Sequence, residues 1–299
     1  MRAFITGGRG FVGTWLADHL AEEGDDVTAV DREVDVTDAA GLAEMMRRSA
    51  PDAVYHLAAM THVGQSWDEP VEVLRVNALG TAAVLASARS CGSNPRVLMV
   101  SSAEVYGAVT DERRLPLSEE SPLAPTTPYA ASKVAAEFLG IQAYLGYNQP
   151  VVIVRPFNHV GPGQSPTFAV SGLAQRIVRA TRVRRDELPV GNLAPRRDFT
   201  DVRDVVRAYR MLIVSGEPGQ IYNVCSGQDV AIGDLAELLL VMAGTELRLV
   251  PDPSLVRPVD VPVLRGDPSR LQAATGWKPE IPLDDTLADV LAYWRDREH

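Results

Sequence analysis

Short apolar runs alternate with stretches whose apolar residues recur every three or four positions through the first hundred residues. Arg2 to Ile5 predicts a strand; from Phe11 onward Val12, Trp15, Leu16 and Leu20 fall at helical spacing. Strands are predicted at Val27 to Val30, Ala53 to Leu57 and Arg96 to Ser101, separated by helical patterns over Ala40 to Arg48 and Val71 to Arg89. Such alternation builds parallel βαβ units with right-handed crossovers, so the expected class is α/β with a doubly wound parallel sheet. Beyond Pro150 the texture changes. Val151 to Arg155 predicts a strand, and Pro156, Pro162, Gly163 and Pro166 mark a long loop. Helical patterns at Gly172 to Thr181, Asp201 to Val214, Ile232 to Ala243 and Asp284 to Arg297 then alternate with short strands at Gln220 to Val224 and Leu247 to Val250. A lone strand such as Gln220 to Val224 needs partners, so the second half should interleave with the first. The expected division is a larger domain of residues 1–157, to which 188–226 returns, and a smaller one of 158–187 and 227–299.

The first strand runs into Thr6-Gly7-Gly8-Arg9-Gly10-Phe11-Val12-Gly13. This satisfies G-x-G-x-x-G through Gly8, Gly10 and Gly13, and G-x-x-G-x-x-G through Gly7, Gly10 and Gly13. Glycines cluster in many turns, but between a strand and a helix they let the backbone approach a pyrophosphate at the helix N-terminus. The next strand ends at Asp31, whose carboxylate suits a ribose 2′-hydroxyl and favours NAD(H); Arg32 follows and leaves NADP(H) open.

A second constellation is Tyr129-x-x-x-Lys133, which a helix would place on one face. A cation beside a phenol lowers its pKa, which would make Tyr129 an acid/base near neutrality. Alone, such a pair is an ordinary solvated helix face. Upstream, Ser101-Ser102-Ala103-Glu104 leaves a strand at the edge where α/β sheets bind ligands, so Ser102 can donate to a carbonyl. Glu104 is a base, a hydroxyl anchor or a loop carboxylate.

Charge narrows the partners. Lys and Arg total 29 against 39 Asp and Glu, a net charge of −10, which argues against a nucleic-acid partner. Two cysteines, Cys91 and Cys225, give no disulfide framework and suit a reducing, cytoplasmic setting. The opening residues enter a strand at once, leaving no room for a signal peptide, and no apolar run approaches the roughly 18 residues of a membrane span. Neither membrane nor metal is expected, because no His/Cys/Asp cluster has ligand spacing and His56 reads as a core residue.

With these residues assembled, the chain resembles an extended short-chain dehydrogenase/reductase of the nucleotide-sugar-modifying branch, over nearly its whole length. The glycine turn, Asp35-Val36-Thr37-Asp38, His56-Leu57-Ala58-Ala59, Asn77, the Ser102/Tyr129/Lys133 set, Arg155-Pro156-Phe157-Asn158 and Gly276-Trp277-Lys278-Pro279 carry the likeness. The resemblance implies a Rossmann domain and a substrate domain. It assigns Gly7, Gly10, Phe11, Val12, Gly13, Asp31, Arg32, Asp35, Val36, Leu57, Ala58, Ala59, Asn77 and Phe157 to the cofactor, with Lys133 on the nicotinamide ribose, Tyr129 as acid/base and Ser102 polarising the sugar C-4 oxygen. Phe157 to Gln164, Arg197 to Asp204 and Tyr222 to Gly227 look like GDP-sugar enzymes, first GDP-4-keto-6-deoxy-mannose reductases and next GDP-mannose 4,6-dehydratases. On that likeness Asn158, His159, Arg197 and Arg257 meet the substrate, beside Ser102 and Glu104. For an arginine taken alone, a surface salt bridge is the simpler reading. Many relatives dimerise through two helices, which here would be Val71 to Arg89 and Ser132 to Tyr147.

Dehydration needs an acid beside the C-5 base, and Ala103 fills that position. Reduction of a C-4 ketone needs only hydride delivery, Tyr129, Ser102 and Lys133. A reductase is therefore the first expectation, a dehydratase the second, an epimerase or decarboxylase behind it, and a nucleotide-sugar-binding protein without catalysis the last.

Overall fold

The computed structural model describes residues 1–109, 111–255 and 261–298. The chain begins β1 (Arg2–Thr6), α1 (Phe11–Glu22), β2 (Asp26–Val30), α2 (Ala39–Ser49) and β3 (Ala53–His56). Next come α3 (Gln65–Asp68), α4 (Pro70–Leu74), a π-helical turn over Arg75–Leu79, α5 (Gly80–Ser90) and β4 (Arg96–Val100). A long connection with two 3₁₀ turns leads to α6 (Pro128–Tyr147) and β5 (Val151–Pro156). The remainder is β6 (Asn158–Val160), α7 (Ala169–Arg182), β7 (Glu187–Val190), β8 (Arg196–Asp201), α8 (Val202–Ser215), β9 (Ile221–Val224), β10 (Asp229–Ala231), α9 (Ile232–Ala243), β11 (Arg248–Pro251), β12 (Val263–Leu264), α10 (Ser269–Thr275) and α11 (Leu283–Arg297).

Six parallel strands order as β2-β1-β3-β4-β5-β9. The strands read as near-continuous apolar runs because both faces of the sheet are covered. Successive side chains alternate faces: Ala3 and Ile5 join one core with Leu16 of α1 and Leu212 of α8, while Phe4 joins another with Met46 of α2 and Val84 of α5. A third core in the smaller lobe gathers Leu173, Ile177, Leu239, Leu287 and Trp294.

β9 extends the main sheet beside β5, and α8 packs on α1. Residues 187–201 do not return with them. β7 pairs with β11, and β8 lies among β6, β10 and β12 in the smaller lobe, so the return begins at α8 rather than at residue 188.

α4, the π turn and α5 form one helix over Pro70–Ser90, 21 residues long. By length and apolar composition it could cross a membrane, which corrects the expectation that no segment reaches that length. Its most apolar window is 56% buried against the rest of the protein, as in a core helix. Both helices that the resemblance assigns to a dimer contact carry exposed apolar side chains, Val71, Leu74 and Leu79 on one and Phe138, Leu145 and Tyr147 on the other.

Candidate active site

The sheet order reverses between β1 and β3, and a crevice opens outside the strand ends at such a point. Gly7 takes a positive φ of 74°, and a Cβ there would lie 2.8 Å from the Ala58 backbone nitrogen. A Cβ on Gly13 would stand 2.1 Å from the Gly7 carbonyl oxygen, so α1 can start this close to the turn only with glycine. Gly10 is different. Its Cβ would meet only the Gly7 oxygen, at 3.2 Å, which leaves its other side open to an incoming phosphate. This cradle fits a dinucleotide at the N-terminus of α1. Phe11 and Val12 open that helix, and Leu57, Ala58 and Ala59 follow β3 alongside, with the Leu57 N–H on the Thr6 carbonyl.

Asp31 stands at the end of β2. Its two oxygens accept the Arg9 N–H and the Arg32 N–H, each at 2.9 Å, and the Arg9 guanidinium reaches Glu33 at 3.3 Å. Further out, Asp35 accepts the Thr37 N–H and hydroxyl at 2.9 and 2.8 Å and pairs with Arg75 at 3.4 Å. Val36 lies against Gly80, where any Cβ would touch it.

The π turn carries Asn77, which is buried. Its side chain bonds both backbone groups of Met60 (2.8 and 3.0 Å) and donates to Ser132 Oγ at 2.9 Å; Ser132 in turn donates to the Tyr129 carbonyl at 2.7 Å. Asn77 thereby ties the segment after β3 to the catalytic helix. Neither the π turn nor Ser132 was legible in the spacing of apolar residues.

α6 starts with Thr127 as its cap, accepting the Ala130 N–H at 3.0 Å, and Pro128 in its first turn, which sets Tyr129 at the mouth of the helix. Tyr129 and Lys133 are buried, and the Lys133 Nζ lies 5.9 Å from the Tyr129 ring centroid while donating to the Val100 carbonyl at 2.8 Å. Burial pushes the Tyr129 phenol up to about 12, opposed by a hydrogen bond with Ser102 and helped by the Glu104 charge. This differs from the expectation of a phenol lowered by its lysine: burial is the largest influence on it. Burial draws Lys133 down to about 8, with Glu137 working against that fall. Ser102, Ala103 and Glu104 leave β4 in a 3₁₀ turn, and Ala103 is 2% exposed.

The loop after β5 closes the site on its far side. Phe157 is buried, its ring 6.2 Å from that of Tyr106. Asn158 and His159 lie half-buried on β6 beside β8. The His159 ring stacks on Phe11 of α1 with centroids 6.1 Å apart, and burial lowers its pKa. The Trp15 indole N–H donates to the Pro162 carbonyl at 3.0 Å, so the same loop is seated twice on the cofactor helix. Arg197 is half-buried on β8 and donates to the Arg196 carbonyl at 2.9 Å. Its neighbour Asp198 is fully buried and collects the Ser226 N–H and hydroxyl and the N–H groups of Gly227 and Gly266, at 2.6 to 3.2 Å. Arg257 lies outside the described residues.

Several conspicuous residues are structural. His56 is buried between the Thr6 and Thr81 hydroxyls, and burial takes it down to about 3. His62 accepts the Gln65 N–H. Asp201 caps α8, and Asp204 accepts the N–H groups of Glu280 and Ile281, which docks the C-terminal segment whose buried Trp277 donates to the Asp204 carbonyl. Among the described residues no group of three metal-ligating side chains occurs.

Residues 32–290 match the family model described as GDP-mannose 4,6 dehydratase. The chain is 40% identical to a GDP-6-deoxy-D-mannose reductase from Pseudomonas aeruginosa, covering 99% of this chain and 98% of that protein. Its fold superposes with a TM-score of 0.92 on the structure of RMD from Pseudomonas aeruginosa complexed with NADPH, at 39% identity and with 99% of both chains covered. A UDP-glucose 4-epimerase from Thermus thermophilus in complex with NAD superposes with a TM-score of 0.88 at 28% identity, again with 99% of each chain covered.

Proposed function

Because the chain belongs to the GDP-mannose 4,6-dehydratase family, we propose that it works there as a reductase, converting the C-4 ketone of a GDP-4-keto-6-deoxy-hexose to an alcohol. The observation that carries the reading is the content of the β4 end. Ser102 stands close enough to the Tyr129 phenol to draw its pKa down against burial, Lys133 lies beneath it, and the buried Ala103 stands where, on the likeness to dehydratases, a proton donor would be needed.

A nicotinamide cofactor bound along the glycine turn supplies the hydride to C-4. The residues do the rest. Ser102 donates to the ketone oxygen and fixes it near Tyr129. Tyr129, held protonated by its burial, gives its proton to that oxygen as charge develops on it. Lys133 places a positive charge next to the phenolate that forms. Asn158, His159 and Arg197 face the nucleotide sugar on this reading, and the fork of Arg197 suits a diphosphate.

We infer NADPH as the reductant, with NADH a weaker substitute, because Asp31 spends both oxygens on backbone N–H groups and the exposed Arg32 beside it supplies positive charge, while Arg9 pairs with Glu33. The test is loss of nicotinamide absorbance when purified protein meets NADPH and GDP-4-keto-6-deoxy-mannose. Stoichiometric oxidation is expected, and Tyr129→Phe should slow it by roughly 10²–10⁴-fold. Formation of a 4-keto sugar from GDP-mannose with no added coenzyme would instead make it a dehydratase.

A further inference from the structure

Beneath the catalytic side chains lies a buried charge pair that the reduction does not touch. Tyr129, Lys133 and Glu137 recur every four residues along α6 and share one stripe. Glu137 is 0% exposed and Arg155, facing it from β5, is 3% exposed. Arg155 Nε and Nη2 donate to the two Glu137 oxygens at 2.9 and 2.7 Å, and the Ser101 hydroxyl donates to one of them. The third guanidinium nitrogen donates to the Tyr106 hydroxyl at 3.0 Å and the Glu119 carbonyl at 3.1 Å, and Tyr106 donates onward to Asn223 Oδ1 at 2.7 Å.

These partners sit next to the chemistry. Ser101 precedes Ser102, Tyr106 closes the turn that carries Glu104, and Arg155 shortly precedes Phe157 and Asn158. Asn223 lies on β9, which leads to the Ser226-Gly227 corner held by Asp198. A buried ion pair adds little stability over apolar packing of the same volume, so its worth lies in what it fixes. We propose that Glu137, clamped by Arg155, is a positioning residue that locks the catalytic helix to the strand ends bearing Ser102 and Asn158 and sets a negative charge one turn below Lys133. The proposal rests on Tyr129 and Lys133 being the catalytic pair, not on the identity of the sugar.

The surroundings of Lys133 make Glu137 its electrostatic support. Tyr129 lies one turn back on the same helix and is neutral, His56 faces it from β3 and is neutral, β4 offers the Val100 carbonyl, and β5 brings the Arg155 cation, which Glu137 pairs and which stands unopposed once that carboxylate is removed. Burial alone disfavours the ammonium, and Glu137 opposes burial.

The experiment is Glu137→Gln with nicotinamide fluorescence reporting coenzyme binding between about pH 6 and pH 9, a readout that needs no sugar. Wild-type affinity should fall as Lys133 loses its proton near pH 8. In the variant that midpoint should drop by roughly one unit, weakening binding at about pH 8 by roughly fivefold and leaving it little changed at pH 6. Glu137→Asp, which keeps the charge, should restore the midpoint. An unmoved midpoint in a folded Glu137→Gln protein overturns the proposal. If that variant does not fold, Ser101→Ala decides: it leaves the ion pair intact and should lower kcat roughly fivefold with KM unchanged, and a wild-type kcat overturns the proposal. Failure of the reductase reading shows separately, as wild-type protein that binds coenzyme but turns over no sugar.

Discussion

At the cofactor end, Gly7, Gly10 and Gly13 act within one strand–turn–helix, and Asp31 meets the turn because β2 runs beside β1. At the substrate end, Asp198 gathers its four donors from Ser226, Gly227 and Gly266, up to 68 residues along the chain. One site is built by local spacing and the other by long-range closure. The consequence is energetic as well as geometric: steric limits enforce the first, while the second depends on the ionisation of one buried carboxyl.

The largest effect should come from breaking the local end. Gly13→Ala would drive a Cβ to 2.1 Å from the Gly7 oxygen, with only backbone around it, so the turn must open. Coenzyme affinity should fall by roughly a hundredfold or more, because both the pyrophosphate contacts and the start of α1 move, and a fluorescence titration measures it directly. Unchanged binding would mean that the glycines serve packing alone.

The substrate end should respond to pH instead. Burial pushes Asp198 up to about 6 from an ordinary 3.8, although Ser226, Gly227 and Gly266 donate to its charged form. A raised carboxyl contributes stability that is complete below pH 3.8 and is lost as pH rises through 6. The binding geometry runs the other way: once Asp198 is protonated, its own O–H displaces one of the four donors. The KM for the sugar nucleotide should therefore rise several-fold as pH falls below about 6, with coenzyme affinity unchanged. Asp198→Asn should show the raised KM at every pH and lose that acid limb, by roughly fivefold at neutral pH. A KM that stays flat in the wild type from pH 7 to pH 5 would unseat Asp198 from this role.

The same contrast governs what the sequence makes legible. The main-sheet strands announce themselves because both faces are covered, so β1, β3, β4 and β5 stand out as apolar runs. β6 and β12 span only three and two residues, β7, β8 and β10 carry charged positions, and β8 draws attention first as the Arg197 to Asp204 motif. Its carboxylates look chemical in sequence and prove to be caps and clamps, since only the folded chain shows that Asp201 and Asp204 hold neighbouring segments. Tyr129 and Lys133 were visible from their spacing, and the same spacing carried one turn further reaches Glu137. The direction of the Tyr129 shift was not visible, because a sequence shows the neighbouring cation but not the burial that dominates the phenol.

The smallest effect is the finest test of the cofactor end. Asp31, read from sequence as the ribose ligand that favours NAD(H), uses one oxygen on the Arg9 N–H and the other on the Arg32 N–H. Its charge is thus partly spent on shaping the turn, and the two side chains that follow from those amides are cations. The Arg9 guanidinium is drawn to Glu33, whereas Arg32 is exposed at the strand end. A 2′-phosphate arriving there would meet Arg32 in a solvent-screened setting, where a single contact is worth about 1 kcal/mol. Arg32→Ala should accordingly raise the KM for NADPH by roughly fivefold, leave the KM for NADH unchanged, and lose its effect as salt is added. Equal effects on both coenzymes would return Asp31 to the role of ribose ligand and make NADH the natural reductant.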